Sequence, residues 1–316
     1  VTVYHNRIVT DEDIRRVIDA AQVLIPNDRE VLHILPQEFI VDDQDGVQNP
    51  LGMAAARLEV NVHIVTGSVT SAQNIIKCCN QSGLDVEDIV LEPLSSSQAV
   101  LSPDEQEVGV VLVDIGGGTT DVTIYSEGSI VHTAVLALGG NHLTHDIAIG
   151  LGAPLHVAEE IKHNFGVAMT SMVKKDEMIE VPSVGGRNNR TMKKQVLASI
   201  VEDRFREIFE LIAHEIEKTH FHTLMASGVV ITGGTCIMPG ADQLASQVLN
   251  LPVRVGFPEN ISGLREMIYS PKYATSVGLV RYGITSNQGK LHFAGDDTNL
   301  FNKVSRRMKD WMQNFF

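Results

Sequence analysis

Asp114-Ile115-Gly116-Gly117-Gly118-Thr119-Thr120-Asp121 is the stretch that decides the fold. The apolar run at 108–113 leads into it as a buried strand, and residues 119–125 leave it with strand-like alternation. Ser126-Glu127-Gly128 then turns the chain into a third strand at 129–136. The glycines therefore sit at the tip of a hairpin. Dinucleotide and Walker A loops instead feed a helix, whose dipole and free amides hold the phosphate. At a hairpin tip, only the backbone N–H groups of the turn meet an anion. Asp114 and Asp121 bracket the turn and repel bare phosphate unless a divalent cation or water lies between. An ordinary β-turn uses glycine for positive φ, but three in succession between aspartates exceed that need. The pattern predicts a hairpin built for a metal–nucleotide.

A second glycine bend lies 117 residues beyond the first: the strand Gly228-Val-Val-Ile-Thr232 breaks at Gly233-Gly234-Thr235, and a helix follows from about Gly240. Alone, strand–Gly-Gly–helix is a common α/β turn. Paired with the hairpin, it lets backbone approach one ligand from the opposite side. Between them, Gly139-Gly140-Asn141 reads as a turn, and a helix opened by Pro154 carries Ala158-Glu159-Glu160-Ile161-Lys162. Glu159 and Lys162 are three apart and share a face, so they either form a surface ion pair or both reach a ligand. Residues 197–218 form a long amphipathic helix whose stripe of Ile200, Phe205, Ile208, Phe209, Ile212 and Ile216 is most simply core. The loop at 181–190 is polar and reads as exposed, its arginines a contact site or simply solvated.

The first ninety residues read as a compact β-α-β-β-α-β module without a catalytic cluster. Thr10-Asp11-Glu12-Asp13 caps a helix with Ile14, Val17, Ile18 and Ala21 on one face. Strand-like runs at 30–41 and 56–66 flank a Gly/Asn/Pro-rich turn, and a second helix at about 70–80 stops at Gly83. At the other end, polar residues 286–299 read as a linker. The segment 300–316 follows with Phe301, Val304, Met308, Trp311, Met312 and Phe315 on one helical face. Lys303, Arg306, Arg307 and Lys309 lie on the other, against Asp310 as the one acid. A basic amphipathic helix with aromatic anchors behind a polar linker predicts a helix lying in an anionic membrane interface. Docking on the protein's own core and a calmodulin-like target are the alternatives.

Composition sets the outer bounds. The 316 residues are two domains' worth of chain, at about 100–200 residues each. A net charge of −14 and pI of 5.2 argue against a general nucleic-acid binder. Cys78, Cys79 and Cys236 are too few and too badly spaced for a disulfide framework or zinc site, which fits a reducing cytosol. No apolar run approaches the ~18 residues that span a bilayer. The chain opens at Val1 on strand-like sequence, with neither an initiator Met nor a signal-peptide pattern, and its natural N-terminus is expected to be missing.

Together, the hairpin at 114–121, the Gly-Gly-Thr at 233–235 and Ala-Glu-Glu-Ile-Lys at 158–162 resemble the phosphate, adenosine and ribose motifs of the actin/Hsp70/sugar-kinase superfamily. The module ahead of the hairpin, the Val-Pro-Ser-Val-Gly-Gly-Arg of the 181–190 loop and the basic tail narrow the resemblance to the bacterial cell-division FtsA family, over essentially the whole chain. That resemblance implies an actin-like, ribonuclease H-like α/β fold of two lobes, with ATP and Mg2+ in the cleft. By position, Gly116, Gly117, Gly118 and Thr119 would hold phosphates, with Asp114 and Asp121 near the cation, through water. Glu159 and Lys162 would contact ribose, and Gly233, Gly234 and Thr235 the adenosine end. Glu92, before Pro93 and Ser95–Ser97, resembles the Hsp70 connecting Glu near the γ-phosphate.

The resemblance also implies a domain plan: a 1C-like module at 1–88, the remainder of subdomain 1A at 89–107, subdomain 2A at 108–147 and 228–285, and subdomain 2B at 148–227. The linker and the membrane-targeting helix complete it. The implied function is an adaptor that polymerises into actin-like filaments and tethers the tubulin-like FtsZ, through the FtsZ C-terminal peptide, to the inner face of the cytoplasmic membrane at the division site. Later division proteins of the FtsN kind would engage the 1C-like module, and the 197–218 helix is the candidate FtsZ contact. The family's first phosphate hairpin, an N-terminal Asp-x-Gly strand turn, is absent from this sequence, so weakened ATP binding and little hydrolysis are expected. An ATPase or phosphotransferase, or a pilus-assembly ATP-binding protein of the same superfamily, are the competing functions.

Overall fold

A computed structural model describes residues 2–21, 29–182, 189–219, 226–261, 263 and 265–287. The described residues form two compact units, one reaching Leu91 and the other spanning Glu92–Tyr282.

The first unit is a four-stranded antiparallel sheet in the order β1-β4-β2-β3: β1 (Thr2–Ile8), β2 (Arg29–Val41), β3 (Gln44–Val47) and β4 (Ala54–Ser68). Helix α1 (Asp11–Ala21) packs on β4, burying Ile14, Val17 and Ile18 against Phe39, Val41 and Leu58. Its cap is reciprocal. Asp13 N donates to Thr10 Oγ1, while Thr10 N and Oγ1 donate to Asp13 Oδ2. These bonds, with the guanidinium of Arg7 at 2.6 Å, hold the buried Asp13 carboxyl below its usual range. Helix α2 (Val69–Gln81) ends in a Schellman turn: Leu84 N donates to Cys79 O, Gly83 N to Asn80 O, and Gly83 takes φ +77.

The strand order differs from the expected β-α-β-β-α-β. The turn region contributes the extra strand β3, and no strand follows α2 among the described residues. Asp85, Glu87 and Asp88 leave that segment mostly exposed, with too little apolar surface to add to the sheet.

The second unit is built on a five-stranded sheet, β11-β10-β5-β6-β7. Strand β5 (Val110–Ile115) runs parallel to β10 (Val229–Thr232), and β10 runs parallel to β11 (Val253–Val255). On the other side, β5, β6 (Thr120–Ser126) and β7 (Ser129–Leu136) form an antiparallel meander. Strand β5 is buried throughout, as its unbroken apolar run requires. Strand β6 is also buried except at its last residue, despite its alternating sequence: Thr120, Asp121 and Thr123 are interior.

Val111, Val113, Ile115, Val122 and Ile124 point into one core with α5 (Gly140–Leu151), α6 (Leu155–Phe165), α7 (Lys194–Glu217) and α8 (Ala241–Leu249). Leu197, Val201, Phe205, Ile208, Phe209, Ile212 and Ile216 of α7 all enter that core. The pleat turns Asp114, Asp121 and Tyr125 to the opposite face. There, α3 (Glu92–Val100) packs, with Tyr125 Oη donating to Ser97 Oγ at 2.7 Å. Helix α4 (Pro103–Val108) occupies the start of the run read as strand, behind a capping box at Ser102 and Glu105. Strands β8 (Met178–Val181) and β9 (Arg190–Lys193) pair across the 181–190 loop, whose centre lies outside the described residues. Arg190 is exposed, yet its side chain is not simply solvated. Its guanidinium donates to Leu151 O and Gly152 O, the last carbonyls of α5. The short α9 (Arg265–Ile268) precedes α10 (Ala274–Asn287), so the first two residues of the expected linker are helical.

Candidate nucleotide site

Three glycine bends of the second unit meet. The hairpin tip closes with Gly116 N donating to Thr119 O at 2.9 Å. Gly116 O accepts from Gly140 N at 2.9 Å, and Gly117 O accepts from Asn141 N at 2.7 Å, so the first turn of α5 grips the tip. Thr235 Oγ1 donates to the same Gly116 O at 2.9 Å. The bends at 116–118 and 233–235, separated by 119 residues between Gly116 and Thr235, therefore touch.

The absence of side chains permits this approach. A Cβ on Gly233 would fall 2.5 Å from Asp114 Oδ1 and from Ile115 O, and Gly233 stands at φ +91. A Cβ on Gly139 would fall 2.7 Å from Gly116 O. Gly117, Gly118, Thr119 and Gly234 remain exposed. Among the described residues, the amides of Gly117 and Gly118 donate to no protein group, which leaves them available to an anion.

Behind the tip are the acids. Asp114 and Asp121 are directly opposite in the β5–β6 register and almost fully buried. Burial first, then the Glu92 carboxylate, pushes Asp114 up to about 6, against hydrogen bonds from Ser96 and Thr275. Burial, Glu92 and Asp114 together push Asp121 up to about 7. Thr275 Oγ1 stands 3.5 Å from Glu92 Oε1 and 3.4 Å from Asp114 Oδ2, at the start of α10. Three carboxyls thus crowd one face, and among the described residues none of them forms an ion pair. A cation placed before them would relieve this repulsion. Among the described residues, no three acidic, His or Cys side chains are arranged to grip an ion directly.

The Glu159–Lys162 pair takes a form between the two sequence alternatives. They bond each other, Nζ to Oε2 at 2.7 Å, yet Lys162 is buried rather than on the surface. Its ammonium also donates to Gly140 O at 3.1 Å and Thr144 Oγ1 at 2.9 Å. Burial opposes ionisation of Glu159, but Lys162 and Thr144 hold its carboxyl below the usual range. The structure therefore draws Glu92, Asp114, Asp121, the tip, Glu159, Lys162 and the Gly233–Thr235 bend into one neighbourhood. The membrane-helix residues Phe301, Lys303, Val304, Arg306, Arg307, Met308, Trp311, Met312 and Phe315 lie outside the described residues.

Comparison with known proteins places this architecture. A family model described as "Cell division protein FtsA" matches residues 111–278, and one described as "SHS2 domain inserted in FTSA" matches residues 1–66. The FtsA of Pseudomonas aeruginosa is 43% identical over all of this chain and 77% of that protein. The chain belongs to the FtsA family of cell-division proteins.

FtsA of Escherichia coli K12 is 39% identical over 98% of the chain and 76% of that protein. Among solved structures, the PilM-PilN type IV pilus biogenesis complex superposes with a TM-score of 0.61 at 16% identity, covering 87% of this chain and 72% of that one. MreB5 of Spiroplasma citri bound to ADP gives 0.56 at 19%, covering 72% and 68%. At those identities the likeness concerns the fold, which is the actin-like α/β fold. The relatives named above that are more than 30% identical to this chain are FtsA proteins. Two features of this FtsA-type site were missed in the sequence. Gly139-Gly140-Asn141 is not a turn but the start of α5, and a Gly-Gly immediately before an apolar-periodic stretch is a signal for it. Thr275 has no local signature; it reaches the acids only through packing.

Proposed function

We propose that this protein is an actin-like cell-division adaptor. It binds ATP with Mg2+ and self-associates into filaments. Through the amphipathic segment 300–316 it tethers FtsZ filaments to the inner face of the cytoplasmic membrane. The observation that carries the nucleotide part is the meeting of the hairpin tip and the Gly233–Thr235 bend in front of Asp114, Asp121 and Glu92. The free amides of Gly117 and Gly118 suit phosphate oxygens, and the acids suit a cation reached through water. Mg2+ bound there supplies positive charge that neutralises phosphate and carboxylate together. Related folds support the same reading: the Spiroplasma citri protein was solved with ADP and with AMPPNP, and a MamK double helical filament superposes at a TM-score of 0.51.

In this reading residues 1–88 form the 1C-like module that later, FtsN-like division proteins engage. Residues 89–107 belong to subdomain 1A, 108–147 and 228–285 to subdomain 2A, and 148–227 to subdomain 2B. The apolar stripe of α7 is buried, so the FtsZ peptide is assigned to the open groove at its N-terminal end, lined by Lys175, Asp176, Lys193, Gln195, Val196, Ser199 and Ile200, two lysines against one acid. Lys175 and Lys193 there suit an acidic peptide, and Val196 and Ile200 give it an apolar footing. Hydrolysis is secondary to the scaffold role. The test is a titration of a fluorescent ATP analogue with Mg2+, followed by anisotropy. The protein should saturate, and Gly233→Ala, whose Cβ would overlap Asp114 and Ile115, should not. No saturable binding by the unaltered protein overturns the reading.

A further inference from the structure

Resting on that nucleotide reading, we propose that His33 is a positioning residue by which the first unit holds Glu92 of the nucleotide site in place. A single hydrogen bond carries the hold. His33 is buried in β2, and its Nε2 accepts from Leu91 N at 2.9 Å, 58 positions along the chain. Both residues belong to the first unit, and the next peptide bond leads to Glu92, where the second unit and α3 begin. The direction of the ring is built into the sheet. Val31 pairs with Thr66 and His33 with Val65, so Leu32 is the extra residue of a β-bulge. A bulge re-aims the side chains beside it. Gly67 makes room for this one, since a Cβ there would lie 3.0 Å from Leu32 Cδ1.

Little else ties down the connector. Among the described residues, the backbone amides of residues 85–90 donate to no group outside the connector, and Ile89 N turns to the adjacent Asp88 carboxylate at 2.8 Å. Val86, Ile89 and Val90 are half-buried, and Asp85, Glu87 and Asp88 are exposed. Leu91 N is therefore the amide that fastens this segment to the sheet. On the other side, Glu92 O accepts from Ser96 Oγ at 3.1 Å, and Pro93 has no N–H to give. The Glu92 carboxylate is exposed and stands 3.5 Å from Thr275 Oγ1, at the outer limit of a hydrogen bond. With the side chain so lightly held, its backbone fixes where this charge faces Asp114 and Asp121. His33 fixes that backbone from the upstream side. A load on the Leu32 bulge, as from a partner bound to the module, is passed to Glu92 through this bond.

The experiment compares the full chain with His33→Leu, which removes the acceptor, and His33→Gln, which restores one. Phe39→Leu is the control, because it loosens the core of the first unit without touching the connector. Amide hydrogen exchange across residues 85–92 is measured without ligand, and affinity for a fluorescent ATP analogue with Mg2+ by anisotropy. His33→Leu should speed exchange up to and including Glu92 and weaken binding about three- to tenfold, the usual size of such couplings. His33→Gln should recover most of both, and Phe39→Leu should leave the affinity unchanged. Unchanged affinity or unchanged exchange at Glu92 in His33→Leu overturns the proposal. So does a loss that His33→Gln fails to rescue or that Phe39→Leu reproduces, since the role is then merely structural. Should His33→Leu not fold, His33→Asn, whose amide ends short of Leu91, carries the same comparison. If the unaltered protein does not bind the analogue, the nucleotide reading fails by itself, and the exchange arm still decides whether His33 holds Glu92.

Discussion

Replacing Asp121 by Asn should stabilise the nucleotide-free protein, and the effect should grow with pH. Asp121 lies opposite Asp114 at 7% exposure, and its pKa is pushed up to about 7 from 3.8 by burial, Glu92 and Asp114. In the unfolded chain the carboxyl loses its proton near its ordinary value, while the folded protein keeps it until about pH 7. The folded state therefore binds more protons within that window, and stability falls as pH rises through it. The gap from 3.8 to about 7 sets a ceiling of ~4 kcal/mol once Asp121 is ionised, and solvent screening of its outer oxygen brings the working figure to ~2 kcal/mol. For a unit of this size that is a Tm gain of ~4–8 °C for Asp121→Asn at pH 8. The difference should shrink to less than half by pH 5. The assay is thermal unfolding of both proteins from pH 5 to 8 without nucleotide or divalent cation. Their difference cancels the titrating groups that do not interact with Asp121 and reads Asp121 together with its neighbours Glu92 and Asp114. A difference that is negative at pH 8, or that does not grow with pH, refutes the reasoning. With Mg2+ and ATP present the ranking should reverse, because the ionised Asp121 then faces a cation.

Three further outcomes are expected. Gly139→Ala should cost ~2 kcal/mol or more and weaken nucleotide binding, because its Cβ meets the Gly116 and Gly117 carbonyls at 2.7 and 2.8 Å; chemical denaturation and anisotropy titration check it. His33 is buried and accepts from Leu91 N through Nε2 at 2.9 Å, and burial holds its pKa down despite Asp88. The unfolded state therefore takes up the proton first, and stability drops as pH falls below ~6.5. His33→Gln keeps an acceptor but does not titrate, so acid melts should show a shallower loss; an unchanged acid limb contradicts this. Finally, flotation with anionic vesicles should carry the full chain upward, but neither a chain ending at residue 299 nor Trp311→Glu; flotation of the shortened chain counts against the membrane anchor.

Much of this molecule is written locally. The apolar run into three glycines announces a buried strand and a hairpin because burial and φ freedom are properties of adjacent residues. The cap at Thr10 and Asp13 and the stop at Gly83 are legible for the same reason: their bonds close within a few residues. Two glycine bends that each follow a strand also suggest a shared ligand, and the Thr235–Gly116 bond brings them together. Strand β3 was hidden in a turn-rich segment whose pairing with β2 depends on a neighbouring strand. The alternation of residues 119–125 announced a strand but not that α3 would cover its second face and leave Asp121 inside. A spacing of three between Glu159 and Lys162 fixed that they share a helix face. It could not say that Gly140 and Thr144 would take the remaining protons, because those acceptors come from another helix. What the chain determined by itself were the bends, caps and apolar stripes, each governed by short-range sterics and hydrogen bonding. Only the tertiary structure decided which bends meet, which acids are desolvated and where the lysine's charge is spent, because contact and dielectric depend on residues of other elements, from 22 positions away for Lys162 and Gly140 to 119 for Gly116 and Thr235.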